Sequence, residues 1–158
     1  MFEALSAEGG AAMALLGSAA AASLGRVSFN DLPSNHIALR FPGHTNKFCY
    51  VEGGGLVKCV SEKIGAHEML TVERGADDYT LHLKSDHTKK YCGDDGNNGV
   101  KCDQVTPRGN ARWALDPIAD GLYSMTSVNS GKYCMEENED VMKCISDNKV
   151  GRCRLTLL

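Results

Sequence analysis

The residues in this chain best placed for chemistry are its cysteines. Cys49, Cys92 and Cys134 each close a tripeptide, Lys47-Phe48-Cys49, Lys90-Tyr91-Cys92 and Lys132-Tyr133-Cys134, and each is followed by a second signature, Val57-Lys58-Cys59, Val100-Lys101-Cys102 and Met142-Lys143-Cys144. The shared pattern is K-[FY]-C-x7-[VM]-K-C, and Cys153 is left over. The midpoint of each Cys pair falls on a turn former: Gly54, Asn97 or Glu139. Cys49 and Cys59, Cys92 and Cys102, and Cys134 and Cys144 are therefore expected to face each other across a hairpin. Regular antiparallel pairing would put them about 4.5 to 5.5 Å apart at Cα. Two readings stay open at this point: three disulfide staples made in an oxidising compartment, or three pairs of buried thiols acting as small core hydrophobes. Zinc is a minor third, because C-x9-C is not a structural zinc spacing.

Other chemistry is sparse. G-x-S-x-G, H-E-x-x-H, P-loop and G-x-G-x-x-G motifs are all missing from the sequence, so no catalytic residue, metal ligand or cofactor is assigned and the chain is expected not to be an enzyme. His82 sits on a strand with parity opposite to Leu81 and Leu83 and reads as solvent-facing, while His44, His67 and His87 lie near turns. Asp94-Asp95-Gly96-Asn97-Asn98-Gly99 lacks the spacing of a calcium loop and reads as a polar hairpin tip. Glu136, Glu137, Glu139 and Asp140 read as an acidic tip, a solvated surface able to meet a basic partner. The formal net charge of −3 and the absence of Lys/Arg runs leave no footprint for nucleic acid.

The elements that would position these residues repeat as well. An alternating strand opens each unit, at Ile37-Ala38-Leu39, Leu81-His82-Leu83 and Tyr123-Ser124-Met125, and another closes it, at Leu70-Thr71-Val72, Trp113-Ala114-Leu115 and Leu155-Thr156-Leu157. Trp113 stands where Leu70 and Leu155 stand in the other units and reads as core filler. Gly53-Gly54-Gly55, Gly96 to Gly99 and Asn138-Glu139-Asp140 supply the hairpin tips. One four-stranded unit cannot enclose a core alone, so three must close together. Twelve short strands in three units predict an all-β fold, a β-trefoil over residues 36–158 with repeats at 36–78, 79–120 and 121–158.

The K-[FY]-C signature before a turn, the apolar residue two before the second Cys, and the aromatic strand Arg112-Trp113-Ala114-Leu115 resemble the fascin-like, actin-crosslinking type of trefoil repeat. They are also similar to hisactophilin. That resemblance implies the trefoil fold and, as a function, actin binding. Ricin-type lectin trefoils share the symmetry, but their Gln-x-Trp is absent and Gln104 is the sole Gln, so a glycan would need a different pocket.

Upstream the composition changes. Residues 9–24 carry no charge and are rich in Ala, whereas 30–35, Asn-Asp-Leu-Pro-Ser-Asn, read as a linker. Residues 1–29 are expected to be an Ala/Gly-rich helix or anchor. Sixteen residues rise about 24 Å, short of a full membrane span but suited to packing among other helices. A cleaved signal is the rival reading, although Met1-Phe2-Glu3 offers no positive n-region. The resulting expectation is a non-catalytic scaffold or accessory subunit. Leu5, Met13, Leu15, Leu16 and Leu24 would dock it into a larger assembly of protein partners, membrane-associated and with a chloroplast thylakoid as the suggested setting. The alternative is a soluble, cytoplasmic trefoil that binds actin or a glycan.

Overall fold

The computed structural model describes residues 25–119, 121–148 and 154–157. Residues 1–24 of the predicted N-terminal helix, among them the docking residues Leu5, Met13, Leu15, Leu16 and Leu24, and Cys153 lie outside the described residues, whereas 26–28 at the end of that predicted helix have no regular structure and lead into a short 3-10 turn, Phe29–Asp31. No helix among the described residues is long and apolar enough to cross a membrane.

Each unit begins with a strand whose apolar residues alternate. The first unit opens with β1 (His36–Ile37) and β2 (Leu39–Arg40), continues with the hairpin β3 (Phe48–Val51) and β4 (Val57–Ser61), and closes with β5 (Leu70–Arg74). The second runs through β6 (Leu81–Ser85), β7 (Tyr91–Asp94), β8 (Val100–Gln104) and β9 (Trp113–Ala119). The third runs through β10 (Leu122–Ser127), β11 (Tyr133–Glu136), β12 (Met142–Ser146) and β13 (Arg154–Leu157). The single opening strand expected for the first unit is thus split at Ala38. Its first half pairs with β5 and its second with β13, so the break lets one strand serve two neighbours at the seam of the barrel.

Antiparallel pairing closes a ring: β1 to β5, β5 to β6, β6 to β9, β9 to β10, β10 to β13, and β13 back to β2. Closure leaves this ring without free edges. The hairpins β3/β4, β7/β8 and β11/β12 hang from it and cap one end. This is the β-trefoil arrangement. Ile37, Leu39, Leu81, Leu115, Met125 and Leu155 fill the barrel, each no more than 2% exposed. Trp113 is wholly buried among them, and its Nε1–H donates to the Cys92 carbonyl at 3.0 Å, so the indole carries no unmet donor into the core.

The cap shows how three similar units meet on an axis. Leu56, Gly99 and Val141 hold equivalent positions just before the second signature. A Cβ on Gly99 would lie 2.7 Å from Val141 Cγ1 and 3.0 Å from Leu56 Cδ1, so two side chains fill space that three could not share. Upstream of the first strand, the chain already belongs to the barrel. Val27 N–H donates to Leu115 O and Phe29 N–H to Asp78 O, both at 2.7 Å, and Val27, Phe29 and Leu32 pack on the core.

Candidate functional site

All three Cys pairs are disulfides: Cys49 with Cys59, Cys92 with Cys102 and Cys134 with Cys144. In each hairpin the two Cys are directly opposed, with a register irregularity beside the first Cys. Their Cα atoms are 3.6, 3.6 and 3.7 Å apart, closer than regular pairing predicts. All six are buried, so the disulfides hold the hairpins to the core and offer no reactive surface.

The acidic tip needs one correction. Glu136 is 0% exposed, because strand parity on β11 turns it inward with Cys134 while Tyr133 and Met135 lie on the other face. Thr45 Oγ1 lies 2.9 and 3.0 Å from its two carboxylate oxygens. Burial, together with the Asp140 carboxyl beside it, pushes its pKa up to about 7. Glu139 is exposed, and Glu137 and Asp140 are half-buried, so the surface contact is narrower than expected. His82 also differs from expectation. It is half-buried and its Nδ1–H donates to the Ala111 carbonyl at 2.8 Å. His67 and His87 stack with ring centroids 3.8 Å apart.

Equivalent positions on β3, β7 and β11 carry Tyr50, Gly93 and Met135. Where the other units place a long side chain, the second has none, and a polar pocket of about 110 Å³ opens there. That volume accommodates several water molecules or one polar edge of a ligand. Gly93, Asp95, Lys101, Asp103, Gln104, Arg108 and Asn110 line it. A Cβ on Gly93 would lie 2.2 Å from Gln104 Nε2 and 3.2 Å from both amide atoms of Asn110, so any side chain would displace the pocket floor.

The floor is held rigid. Gln104, 3% exposed, donates from Nε2 to Asn110 Oδ1 at 2.8 Å and accepts the Arg108 N–H through Oε1 at 2.8 Å. Asn110 Nδ2 donates to the Asp94 carbonyl at 2.9 Å, and Asp94 N–H returns a bond to the Asn110 carbonyl at 2.9 Å. At the rim, Lys101 pairs with Asp95 at 3.3 Å, as Lys58 pairs with Glu52 at 3.5 Å in the first unit. Asp103 and Arg108 are exposed. Two carboxylates, two cations, the buried amide of Gln104 and the half-buried amide of Asn110 therefore converge on a space with nearly balanced charge.

From sequence, Gln104 was named only to be discounted, Lys101 only as part of the repeat signature and Asp95 only as part of a polar tip, and Gly93, Asp103, Arg108 and Asn110 were not singled out. The available signal was the mismatch at one repeat position, a Gly aligned with Tyr50 and Met135.

No protein-family model matches this chain, and no curated protein matches it. Among solved structures it is similar to the crystal structure of a designed threefold-symmetric protein, ThreeFoil. The TM-score is 0.68 and the identity 19%, over 79% of this chain and 99% of that one. At this identity the likeness carries the fold alone.

Proposed function

We propose that the chain is a non-catalytic binding module whose second unit receives the edge of a hydroxyl-rich ligand, a saccharide in chemical class. The observation that supports this is Gly93, which empties the position filled by Tyr50 and Met135 and exposes a pre-formed floor of Gln104 and Asn110. Carboxylates at Asp95 and Asp103 accept from hydroxyls, amides donate and accept, and Lys101 and Arg108 donate. Balanced charge favours a neutral polyol over a polyanion. No aromatic ring lines the pocket, so stacking adds nothing and affinity per site is expected near the millimolar level. Glycan-array screening followed by titration calorimetry tests this. Gly93→Met, which copies the third unit, should weaken binding at least tenfold while leaving the fold intact by circular dichroism. Unchanged binding in Gly93→Met, or no glycan bound by the parent, refutes the reading. Cosedimentation with actin filaments tests the fascin-like alternative on the same samples.

A second reading draws on the uncharged run of residues 9–24. In it the trefoil is an accessory subunit held in a larger, membrane-associated assembly by residues 2–29. Removing residues 1–24, which leaves the barrel contacts of Val27 and Phe29, should release the protein from that assembly. Full retention would end this reading.

A further inference from the structure

Three departures from the threefold pattern coincide where the third unit meets the first, on the cap and outside the Gly93 pocket. The first is Glu136, whose equivalents are Val51 and Asp94. Val51 shows that the fold accepts an apolar residue there, and Asp94 is buried at 8% exposure, yet only the third unit buries the longer carboxylate completely, at 0% exposure. The second is the turn ahead of β3. In the other units Lys89 N–H bonds Ser85 O and Gly131 N–H bonds Ser127 O, spans of four residues. In the first unit the turn is one residue longer, with both His44 N–H and Asn46 N–H bonded to Phe41 O. The longer turn brings His44 Nε2 to 3.9 Å from Glu136 Oε2. The third is Asp140, at φ 64°, in a left-handed conformation that the first unit assigns to Gly55 at φ 102°. An L side chain is carried here at a conformational cost that glycine would avoid.

We propose that His44, Glu136 and Asp140 bind one divalent transition-metal cation of the zinc class and thereby tie the third unit to the first. One ligand atom from each of the three lies within 4.8 Å of the others. One imidazole nitrogen with two carboxylates is a donor set for zinc or manganese, whereas calcium takes six to eight oxygens. Tetrahedral ligands about 2.1 Å from zinc are about 3.4 Å apart, so the triad must contract by roughly 1 Å. His44 is exposed on its longer turn and can make that movement. Thr45 Oγ1 contacts both carboxylate oxygens of Glu136 and also lies 3.2 Å from the Cys59 carbonyl, so it orients the buried ligand from the first unit. Thr88 makes the same carbonyl contact in the second unit, at 2.9 Å. A cation would also offset the repulsion between two adjacent carboxylates, one of them fully desolvated.

The test is calorimetric titration of zinc chloride, and separately manganese chloride, into the full chain with its disulfides intact and Cys153 alkylated. The expected result is one ion per chain at micromolar affinity for zinc, weakened at least tenfold by His44→Gln and by Asp140→Asn. Both variants alter groups that are not wholly buried, so their folding can be verified by near-ultraviolet circular dichroism. Glu136→Val, which copies the first unit, should abolish binding. Gly93→Met should leave it unchanged, which separates this site from the saccharide pocket. Binding of neither ion at millimolar concentration, or equal affinity in His44→Gln and Asp140→Asn, overturns the proposal.

Discussion

Removing one hairpin disulfide should cost about the same in any of the three units. Each bridge joins residues 10 apart, so the chain-entropy relation assigns each the same loss of denatured-state freedom, about 2.7 kcal/mol at 25 °C. The sulfur atoms are buried, and paired Cys→Ala changes also leave small voids that add about 1 kcal/mol. Each double variant, Cys49→Ala/Cys59→Ala and its two counterparts, should therefore lose about 3 to 4 kcal/mol in guanidinium unfolding. All three bridges together amount to roughly 8 kcal/mol in a domain whose total stability is expected between about 5 and 15 kcal/mol. Full reduction should then bring the protein close to its unfolding threshold at room temperature. Equality across units is the sharper test, because native strain and residual hairpin structure in the reduced chain would break it. A loss below about 1 kcal/mol in any unit, or a spread above about 2 kcal/mol among the three, would refute the assignment of their effect to loop closure.

Gly99→Ala places a Cβ against Val141 and Leu56 at φ 94° and should destabilise by about 2 kcal/mol or more, measured by thermal unfolding. Glu136 has a folded pKa raised from 4.5 to about 7, so its protonation favours the folded state. That contribution is fully present below pH 4.5 and is lost as pH rises to 7, a change of roughly 3 kcal/mol. With chelator present, Glu136→Gln should flatten the stability profile between those pH values, and an unaltered slope would contradict this assignment. Tyr91 donates its phenol hydrogen to Glu73 at 2.7 Å, which raises its pKa and contributes stability that is lost above the ordinary tyrosine range. Glu73→Gln should return the Tyr91 titration towards its ordinary value, read by the chemical shift of its ring carbons.

Repetition made the fold legible. Three copies of K-[FY]-C-x7-[VM]-K-C set the hairpin register, since only one alignment puts Cys opposite Cys and the tips on Gly54, Asn97 and Glu139. Trp113 was legible for the same reason, because its position is apolar in every unit. Glu136 could have been assigned inward from strand parity, but its charge and its acidic neighbours outweighed parity in the reading. The pocket was harder to see, because its residues have no shared signature: Gln104 and Asn110 come together through the return of the β8 to β9 loop onto β7. Contacts of that kind depend on the closed barrel and leave no trace in local spacing. The upstream contacts of Val27 and Phe29 were masked by the Ala-rich composition that precedes them.

A threefold chain contains its own controls. Residues that recur in all units, such as the Cys pairs and the apolar positions of the barrel, answer to a requirement that every unit shares, namely closing hairpins and filling one core. A residue that differs in one unit is free of that requirement, because its counterparts show the fold stands without it. Gly93 is not needed for closure, since Tyr50 and Met135 occupy the same position, and Glu136 is not needed for packing, since Val51 serves. Both replacements carry a cost that the alternative avoids: Gly93 gives up side-chain packing and Glu136 buries a carboxylate. Gly99 breaks the pattern too, but there the axis itself demands it, because three side chains would collide. At Gly93 the close neighbours of an added Cβ are instead Gln104 and Asn110, which belong to the pocket and not to the shared axis. Symmetry breaking that neither the axis nor the common core demands is therefore the criterion that selects the second-unit pocket and the junction of the third unit with the first as the places where binding is to be sought.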